Sequence, residues 1–528
     1  MNRQVSYNSV DNGLNALNGM RVKGKQNGPA AFVAAAQDGI LSNPTTQTWN
    51  GAISNSTTLS ATLDFFSSVL RGNFNKTVHL WQLVRRELKD NEGLARRLLF
   101  QLRDARGGKG ERDAFRNIVA FEATNNPAFL AGHVALIPEY GRWDDVWCLL
   151  NTPLRDDVIA LIKATLINDL EQAKKGEGTS LLAKWLPSEN AGKESTKLAR
   201  SIAQALDLNP SEYRRILSTL RGYIGIVERK MSANEWQAIN YEKVSSRAMF
   251  VYKSAFRKRD GIRYEAYLEQ VKAGTKTIHA GRLDPHEILG KYGRLAHDGY
   301  TTRDATLEAL WSALPGLPEG TTAIVPMIDV SGSMEASSPA GVSAMTVALA
   351  LGIYLAQRNR SAWAGHWFSF SSNATLHRFN PADSLLDIVS GIERSDWQMN
   401  TDFQRMFETV LKWYDSGKIT KDDIPNAFVV FSDMQFDVAD RNNKTNLQAV
   451  RAKFAKRGLV APTLVFWQVT GASDFPAVRD DIGAILLSGF NPSMLKGIMS
   501  MNPELLRGIT PERAMLDTLL SERYNAVG

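Results

Sequence analysis

Two patterns of apolar and polar residues divide the chain. Between residues 58 and 315, apolar residues recur at spacings of three and four, with Gly, Pro and Asn between the segments. This spacing is typical of amphipathic helices. The clearest predicted helices are 59–70, 78–88, 94–102, 114–121, 158–170 and 248–256. Many short helices in succession favour an array of HEAT-like helical repeats, although no strict sequence period is visible.

After residue 321 the pattern changes to short apolar runs that alternate with helical segments. The runs 323–328, 365–370, 427–431 and 461–469 are typical of buried strands, and 342–357, 402–414 and 447–454 of helices. Such alternation predicts a parallel sheet covered by helices on both faces. Residues 321–528 are therefore predicted to form a doubly wound α/β domain.

The N-terminal residues show neither pattern. Residues 1–57 are rich in Asn, Gly, Ser, Thr and Gln and carry few charges, which predicts a flexible polar arm that is ordered only where it docks. The predicted organisation is thus an arm over 1–57, a helical domain over 58–315 and the α/β domain over 321–528.

Composition limits the class of protein. The 528 residues are 44% apolar and include one cysteine, Cys148, which excludes an internal disulfide and a zinc site built on several thiolates. The longest apolar run, 344–356, is too short to cross a bilayer. We therefore expect a soluble, cytoplasmic protein without a membrane partner, or a virion-associated one if its source is viral.

Charge is divided unevenly. Up to residue 320 the chain has 43 Lys and Arg against 34 Asp and Glu, and from residue 321 it has 19 against 21. A basic first part suits a polyanion such as nucleic acid, but an ordinary solvated surface has the same composition.

The first strand of the predicted α/β domain runs into the sequence Asp329-Val-Ser331-Gly-Ser333. In open α/β sheets, ligands bind at the carboxyl ends of the strands. A carboxylate and two hydroxyls at alternate positions there suit a hard cation, Mg²⁺ or Mn²⁺. The alternative is that either serine is only the N-cap of a helix.

Two later segments fit the same edge of the sheet. Thr401 precedes a predicted helix, and Asp433 follows a predicted strand. With Asp329, Ser331 and Ser333, this ordered set resembles the von Willebrand factor A fold with its metal-ion-dependent adhesion site (MIDAS). The resemblance implies that these five residues form the metal site.

Catalysis is disfavoured by the sequence. No histidine lies in these loops, and the glycine-rich segment Gly107–Gly110 lacks the pattern of a P-loop. No small-molecule substrate is evident. A metal-dependent nuclease is the weak alternative, since Glu335, Asp402 and Asp437 are the extra acids near the predicted metal site.

A helical array followed by an A-type domain resembles the Ro autoantigen and its TROVE-module relatives, and more closely an uncharacterised Ro-like family of plants, fungi and viruses. The resemblance covers roughly residues 60–520 and is carried by 102–112, 140–145, 183–187, 213–215, 220–221, 228–236 and 329–333. It implies a helical ring, closed by the A-type domain, that binds small or misfolded RNA as a ribonucleoprotein.

Basic residues in three segments are the RNA-binding candidates. They are Arg103, Arg106, Lys109, Arg112, Arg214, Arg215, Arg221, Lys253, Arg257, Lys258 and Arg259. Glycines 107–110 suit close approach of the backbone to phosphate, and clustered guanidinium groups bind phosphate oxygens. For the stretch 253–263, a solvated surface explains the charges equally well.

Two functions follow from these patterns. The first is a non-catalytic RNA-binding protein whose A-type domain carries a divalent cation. The second is a protein–protein adaptor or virion-associated protein, whose metal binds an acidic residue of a partner.

Overall fold

The computed structural model describes residues 45–70, 74–292, 303–317, 323–335, 342–370, 375–393, 403–437, 445–471, 474–494, 497–498 and 500–528. These residues divide into two compact units. The first unit contains 112–240 and 526–528, and the second contains 45–111 and 241–525. The second unit therefore includes helices from both sides of the predicted boundary at 315–321.

Helices make up most of the structure before residue 315. They are α1 (Ala61–Ser68), α2 (Phe74–Glu87), α3 (Glu92–Arg103), α4 (Arg112–Asn125), α5 (Ile137–Tyr140), α6 (Arg155–Lys175), α7 (Leu182–Trp185), α8 (Lys193–Ala205), α9 (Pro210–Ile224), α10 (Val227–Ser232), α11 (Ser246–Lys272), α12 (Pro285–Leu289) and α13 (Ala305–Ser312). Later helices are α14 (Ala344–Arg358), α15 (Leu385–Glu393), α16 (Phe403–Asp415), α17 (Asn446–Ala455), α18 (Pro503–Gly508) and α19 (Pro511–Leu519). Within the described ranges, every helix is too short or too polar to cross a membrane.

Eight strands form two sheets. They are β1 (Thr45–Gln47), β2 (Ile53–Asn55), β3 (Ile324–Asp329), β4 (His366–Phe370), β5 (Thr375–Arg378), β6 (Ala427–Ser432), β7 (Thr463–Gln468) and β8 (Ala484–Ser488). β1 and β2 make a hairpin, and the other strands make one sheet in the order β5-β4-β3-β6-β7-β8. The expected combination of a helical region and an α/β region is confirmed, whereas the repeat and ring arrangements stay predictions.

The large sheet is mixed, not wholly parallel as predicted. Its pairs are parallel except β4–β5, where His366 lies opposite Arg378. Only four residues separate β4 from β5, and a connection that short can join only antiparallel strands. β5 stands at the edge of the sheet and is partly exposed, so it lacks the continuous apolar run by which β3, β4, β6 and β7 were predicted. β8 was not predicted either, although every residue of this strand is buried.

The centre of the sheet is buried on both faces. Every residue of β3, β6 and β7 is buried, as the uninterrupted apolar runs predict. α14 begins after Ser343, whose hydroxyl accepts the Thr346 N–H. Gly352 lets this helix approach β3 closely, because a Cβ there would lie 2.4 Å from Ile328 Cδ1.

Part of the predicted N-terminal arm is ordered by docking. The hairpin β1–β2 contacts loops at the carboxyl end of the sheet: Thr48 Oγ1 donates to the Phe436 carbonyl at 2.8 Å, and Ser54 Oγ donates to the Phe475 carbonyl at 3.0 Å. The Asn55 N–H also donates to Phe475, at 2.9 Å. Residues 1–44 lie outside the described part of the chain.

In the first unit, the predicted motif 140–145 forms a structural ion-pair network. Arg116 contacts Asp144 Oδ2 at 2.8 Å and Asp145 Oδ1 at 2.7 Å. Asp145 is buried and also accepts the Arg142 N–H at 2.8 Å, which fixes the turn that follows α5. The Arg142 guanidinium stacks 4.4 Å from the centre of the Trp185 ring. These contacts make Arg142 and Trp185 part of the packing of the unit.

Candidate metal centre

The carboxyl ends of two neighbouring strands bring the candidate ligands together. Asp329 is the last residue of β3, and Asp433 follows the last residue of β6. These strands are parallel neighbours, with Ile328 opposite Phe431. The chain leaves β3 for β4 on one side and returns to β6 on the other, so this is the switch point at which α/β sheets bind ligands.

Asp329 is fully buried and is oriented by two neutral donors. Its Oδ1 accepts the Ser331 N–H at 3.0 Å, and its Oδ2 accepts the Ser432 hydroxyl at 2.6 Å. Ser432 Oγ in turn accepts the Met434 N–H at 2.9 Å. The carboxylate is thus held in one orientation with no Lys or Arg paired to it in the described part of the chain.

The two hydroxyls of the turn lie side by side. Ser331 Oγ and Ser333 Oγ are 3.0 Å apart, and a short 3-10 helix begins at Gly332. Ser331 is buried, whereas Ser333 is exposed. The site is therefore accessible from solvent on the side of Ser333.

Electrostatics at this site favour a bound cation. Burial, and then the nearby charge of Asp433, raise the pKa of Asp329 to about 7. Two carboxylates that are both buried repel each other, and a divalent cation would neutralise the pair. Carboxylate and hydroxyl oxygens are the ligands that Mg²⁺ and Mn²⁺ take, so the donor set fits such an ion.

Four of the five predicted ligands are in described residues, and they meet at this edge of the sheet. They are Asp329, Ser331, Ser333 and Asp433, whereas Thr401 lies outside the described residues. Across the described ranges there is no group of three or more His, Cys, Asp or Glu side chains suited to a metal. The candidate centre instead combines two carboxylates with hydroxyls.

Two polar residues of the site were not assigned from the sequence. Ser432 orients Asp329, and the Gln435 N–H donates to Asp433 Oδ1 at 3.0 Å. Ser432 carries a recognisable signal, since it is the one polar residue of the otherwise apolar strand Ala427–Ser432. Gln435 carries none, because its role depends on the turn that follows β6.

The glycine-rich segment 107–110 does not present its lysine to solvent. Lys109 is 1% exposed, and its ammonium donates to the Val69 carbonyl at 3.1 Å and to Ser488 Oγ at 2.7 Å. Burial lowers its pKa to about 7. Arg103 is also buried. The prediction that these two side chains contact RNA is therefore wrong for Lys109 and Arg103, while Arg106 is exposed.

Of the four RNA-binding candidates in the first unit, one is used in packing and three lie at the surface. Arg221 is committed to the fold: it donates to the carbonyls of Ala183 and Leu186 at 2.8 and 2.6 Å and to Ser188 Oγ at 2.7 Å. The other three are at least partly exposed, and two of them form ion pairs. Arg112 pairs with Asp113, Arg214 pairs with Glu189, and Arg215 is exposed.

The basic stretch on α11 is partly neutralised. Lys253 and Arg257 both contact Asp304, and Arg257 also pairs with Glu265 at 2.7 Å. Lys258 and Arg259 are exposed. The ion pairs leave less positive charge for phosphate than the sequence indicates.

Comparisons with known proteins match the two parts of the chain separately. Residues 143–314 match the model of a domain of unknown function, DUF2828, and residues 323–507 match that of another, DUF7788. Neither model covers half of the chain. An uncharacterised protein of Acanthamoeba polyphaga mimivirus is 26% identical over 496 residues, which are 86% of this chain and 84% of the viral protein. The second match begins just before β3 and includes the candidate metal centre.

Proposed function

We propose that this chain is a non-catalytic adaptor that binds Mg²⁺ or Mn²⁺ and uses the ion to hold a carboxylate of a protein partner. One observation carries the proposal: Asp329 is buried beside Asp433 with only neutral donors to its oxygens. Two buried carboxylates of this kind are costly unless a proton or a cation compensates their charge, and the oxygen donors present suit a divalent cation.

The donor set leaves room for a partner. Asp329, Ser331, Ser333 and Asp433 supply fewer ligands than the six that Mg²⁺ requires, so water or an incoming carboxylate completes the coordination. Ser333 is on the exposed side, where such a group would enter. The resemblance of this ligand set to the MIDAS of von Willebrand factor A domains supports the same role.

Binding of Mn²⁺ tests the cation site directly. We would titrate the full chain with Mn²⁺ and measure the unbound ion by electron paramagnetic resonance. Stoichiometric binding is expected for the wild type and for the control Asp480→Asn, whose carboxylate is exposed on the same unit. Asp433→Asn is expected to weaken binding by about a hundredfold or more, because a charged ligand is lost. Absence of binding to the wild type, or unchanged binding to Asp433→Asn, would refute the site.

We propose RNA binding as a second candidate function, because arginines from separate segments come together around one buried carboxylate. The cluster consists of the exposed Arg106 and Arg282 and the partly exposed Arg523, around Asp104. Asp104 is buried and accepts two hydrogen bonds of 2.8 Å from Arg523. The pKa of Arg282 is lowered, first by burial and then by the charges of Arg106, Arg103 and Arg523, while the charge of Asp104 raises it.

The dependence of RNA binding on salt concentration tests this second candidate function. We would measure binding of a structured RNA with a single-stranded 3′ tail to the wild type, to Arg106→Ala/Arg282→Ala and to the control Lys258→Ala/Arg259→Ala. Both pairs remove two exposed charges from the same unit. Affinity that falls steeply with salt, and falls further only in the first variant, supports RNA binding at the cluster. Equal loss in both variants contradicts it.

A further inference from the structure

A tryptophan stands almost fully exposed in the turn between β1 and β2. Trp49 is 93% exposed, whereas the other tryptophans for which the structure gives an exposure are buried or partly buried. An indole ring gains much by burial, so a ring left in solvent on an ordered turn is unusual. Exposed tryptophans of this kind are enriched among the residues that dominate protein interfaces.

The turn is fixed to the loop that follows β6. The Trp49 N–H donates to Gln435 Oε1 at 2.7 Å, and Asn50 Nδ2 donates to the Gln435 carbonyl at 2.7 Å. The preceding residue, Thr48, is buried and its hydroxyl donates to the Phe436 carbonyl. The backbone that carries the ring is therefore already ordered, which lowers the entropy cost of using it in binding.

Gln435 connects this turn to the candidate metal centre. Its N–H donates to Asp433 Oδ1 at 3.0 Å, and its Nε2 donates to Asp474 Oδ2 at 2.8 Å. One residue thus bonds to both the Trp49 backbone and a candidate ligand of the cation. The turn that carries the indole is therefore joined to the candidate metal centre through a single residue.

The surroundings of the ring are acidic. The segments that meet here, 45–55, 433–437 and 474–477, contain Asp433, Asp437 and Asp474 but no Lys or Arg. A divalent cation would balance Asp329 and Asp433, and the charge of Asp474, which accepts a hydrogen bond from the neutral Gln435 amide, would remain. An aromatic face next to carboxylates attracts a cationic side chain, both through the ring quadrupole and through the net charge.

We propose that Trp49 determines which partner the site accepts, by stacking on an Arg or Lys side chain near the Asp or Glu that reaches the cation. The inference rests on the proposed cation-dependent binding of an acidic residue. It adds a basic residue of the same partner, which would stack on Trp49. The partner surface is thus a protein segment in which an acidic and a basic residue lie close together. The N-terminal hairpin then belongs to the binding surface.

Selection of peptides tests this inference. Short random peptides displayed on phage would be selected on the full chain, in Mg²⁺ and in EDTA, for the wild type, Trp49→Ala and the control Ile262→Ala. Ile262 is 94% exposed on the same unit, so both substitutions remove an exposed apolar side chain without disturbing the core. In Mg²⁺, the wild type and Ile262→Ala are expected to select peptides with an acidic residue near Arg or Lys. Trp49→Ala is expected to retain the acidic preference and lose the basic one.

The affinity of a synthetic peptide from the wild-type selection measures how much Trp49 contributes to binding. This peptide is expected to bind Trp49→Ala about tenfold more weakly than the wild type, and Ile262→Ala with unchanged affinity. Unchanged affinity and unchanged peptides for Trp49→Ala would overturn the role of Trp49 while leaving cation-dependent binding intact. Selection of apolar residues in place of Arg or Lys would overturn the proposed partner chemistry. If the wild type selects no Mg²⁺-dependent acidic peptides, both proposals fail.

Discussion

The Ser432 hydroxyl donates a 2.6 Å hydrogen bond to Asp329 Oδ2 across two neighbouring strands. Ser432 is the last residue of β6, and Asp329 is the last residue of β3. The bond fixes the direction of a fully buried carboxylate and ties together the strand ends that carry the candidate ligands. Its acceptor is charged, and hydrogen bonds to charged groups contribute more than neutral ones.

Ser432→Ala is expected to lower the free energy of unfolding by about 1–3 kcal/mol, because a buried carboxylate loses a donor. The change is measured by urea denaturation in EDTA. The control Ser254→Ala, at an exposed position of α11, is expected to stay within about 0.5 kcal/mol of the wild type. Equal effects of the two substitutions would show that the hydroxyl of Ser432 does not stabilise the fold.

Lys109 is expected to make stability depend on pH. Its pKa is about 7 in the folded chain, because of burial, against 10.5 for the ordinary side chain. Between these values the unfolded chain binds one more proton than the folded chain, so stability rises with pH from about 7 to about 10.5 and is lost as pH falls back to 7.

The variant Lys109→Met removes this titration. Between pH 7 and 9, the free energy of unfolding of the wild type should rise relative to the variant by up to about 1.4 kcal/mol per pH unit. The control Lys258→Met, at an exposed position, should follow the wild type. Parallel curves for the wild type and Lys109→Met would mean that the buried ammonium does not release its proton in this range.

Arg221 is expected to stabilise the first unit through its hydrogen bonds, beyond the positive charge that it adds. Arg221→Met removes three hydrogen bonds to α7 and the segment that follows it, two of them to backbone carbonyls, and should cost about 2–4 kcal/mol. Arg215→Met removes the same charge from an exposed position of α9 and should be close to neutral. Thermal unfolding of both variants is the measurement, and similar melting temperatures would contradict the assignment.

Gly352 is expected to be required for the packing of α14 on β3. Gly352→Ala places a methyl group 2.4 Å from Ile328 Cδ1 and should destabilise the fold by about 1–3 kcal/mol. Gly391→Ala, in the helix α15, meets no atom within 4 Å and should be neutral or stabilising by up to about 1 kcal/mol. Chemical denaturation compares the two variants, and a neutral Gly352→Ala would show that the helix can move away without cost.

Residues that only pack were hard to separate from residues that could bind. Lys109 and Arg103 lie in a basic, glycine-rich segment that is typical of phosphate contacts, yet both are buried. The two acceptors of Lys109, Val69 and Ser488, lie 40 and 379 residues away in the chain. Local composition contains no information about such contacts. The sequence therefore showed that this segment is basic, but it did not show that these two side chains are buried in the protein.

In the hairpin β1–β2, distant contacts order a segment that the sequence predicts to be flexible. A segment without charges or periodicity is indistinguishable from a disordered arm until its acceptors are known, and those are backbone carbonyls of Phe436 and Phe475. Likewise, β5 was missed because its residues, Thr375–Arg378, form no apolar run, and Gln435 was missed because its role depends on a turn.

The sequence by itself determined the central strands of the large sheet and the candidate ligands at their ends. Buried apolar runs specify β3, β6 and β7, and polar residues at their ends, Asp329 and Asp433 among them, stand out because they interrupt those runs. Only the tertiary structure decided which side chains share a site, which cations are buried and where Trp49 stands. Periodicity is a property of neighbours along the chain, whereas burial and hydrogen bonding depend on residues that folding brings together from distant positions.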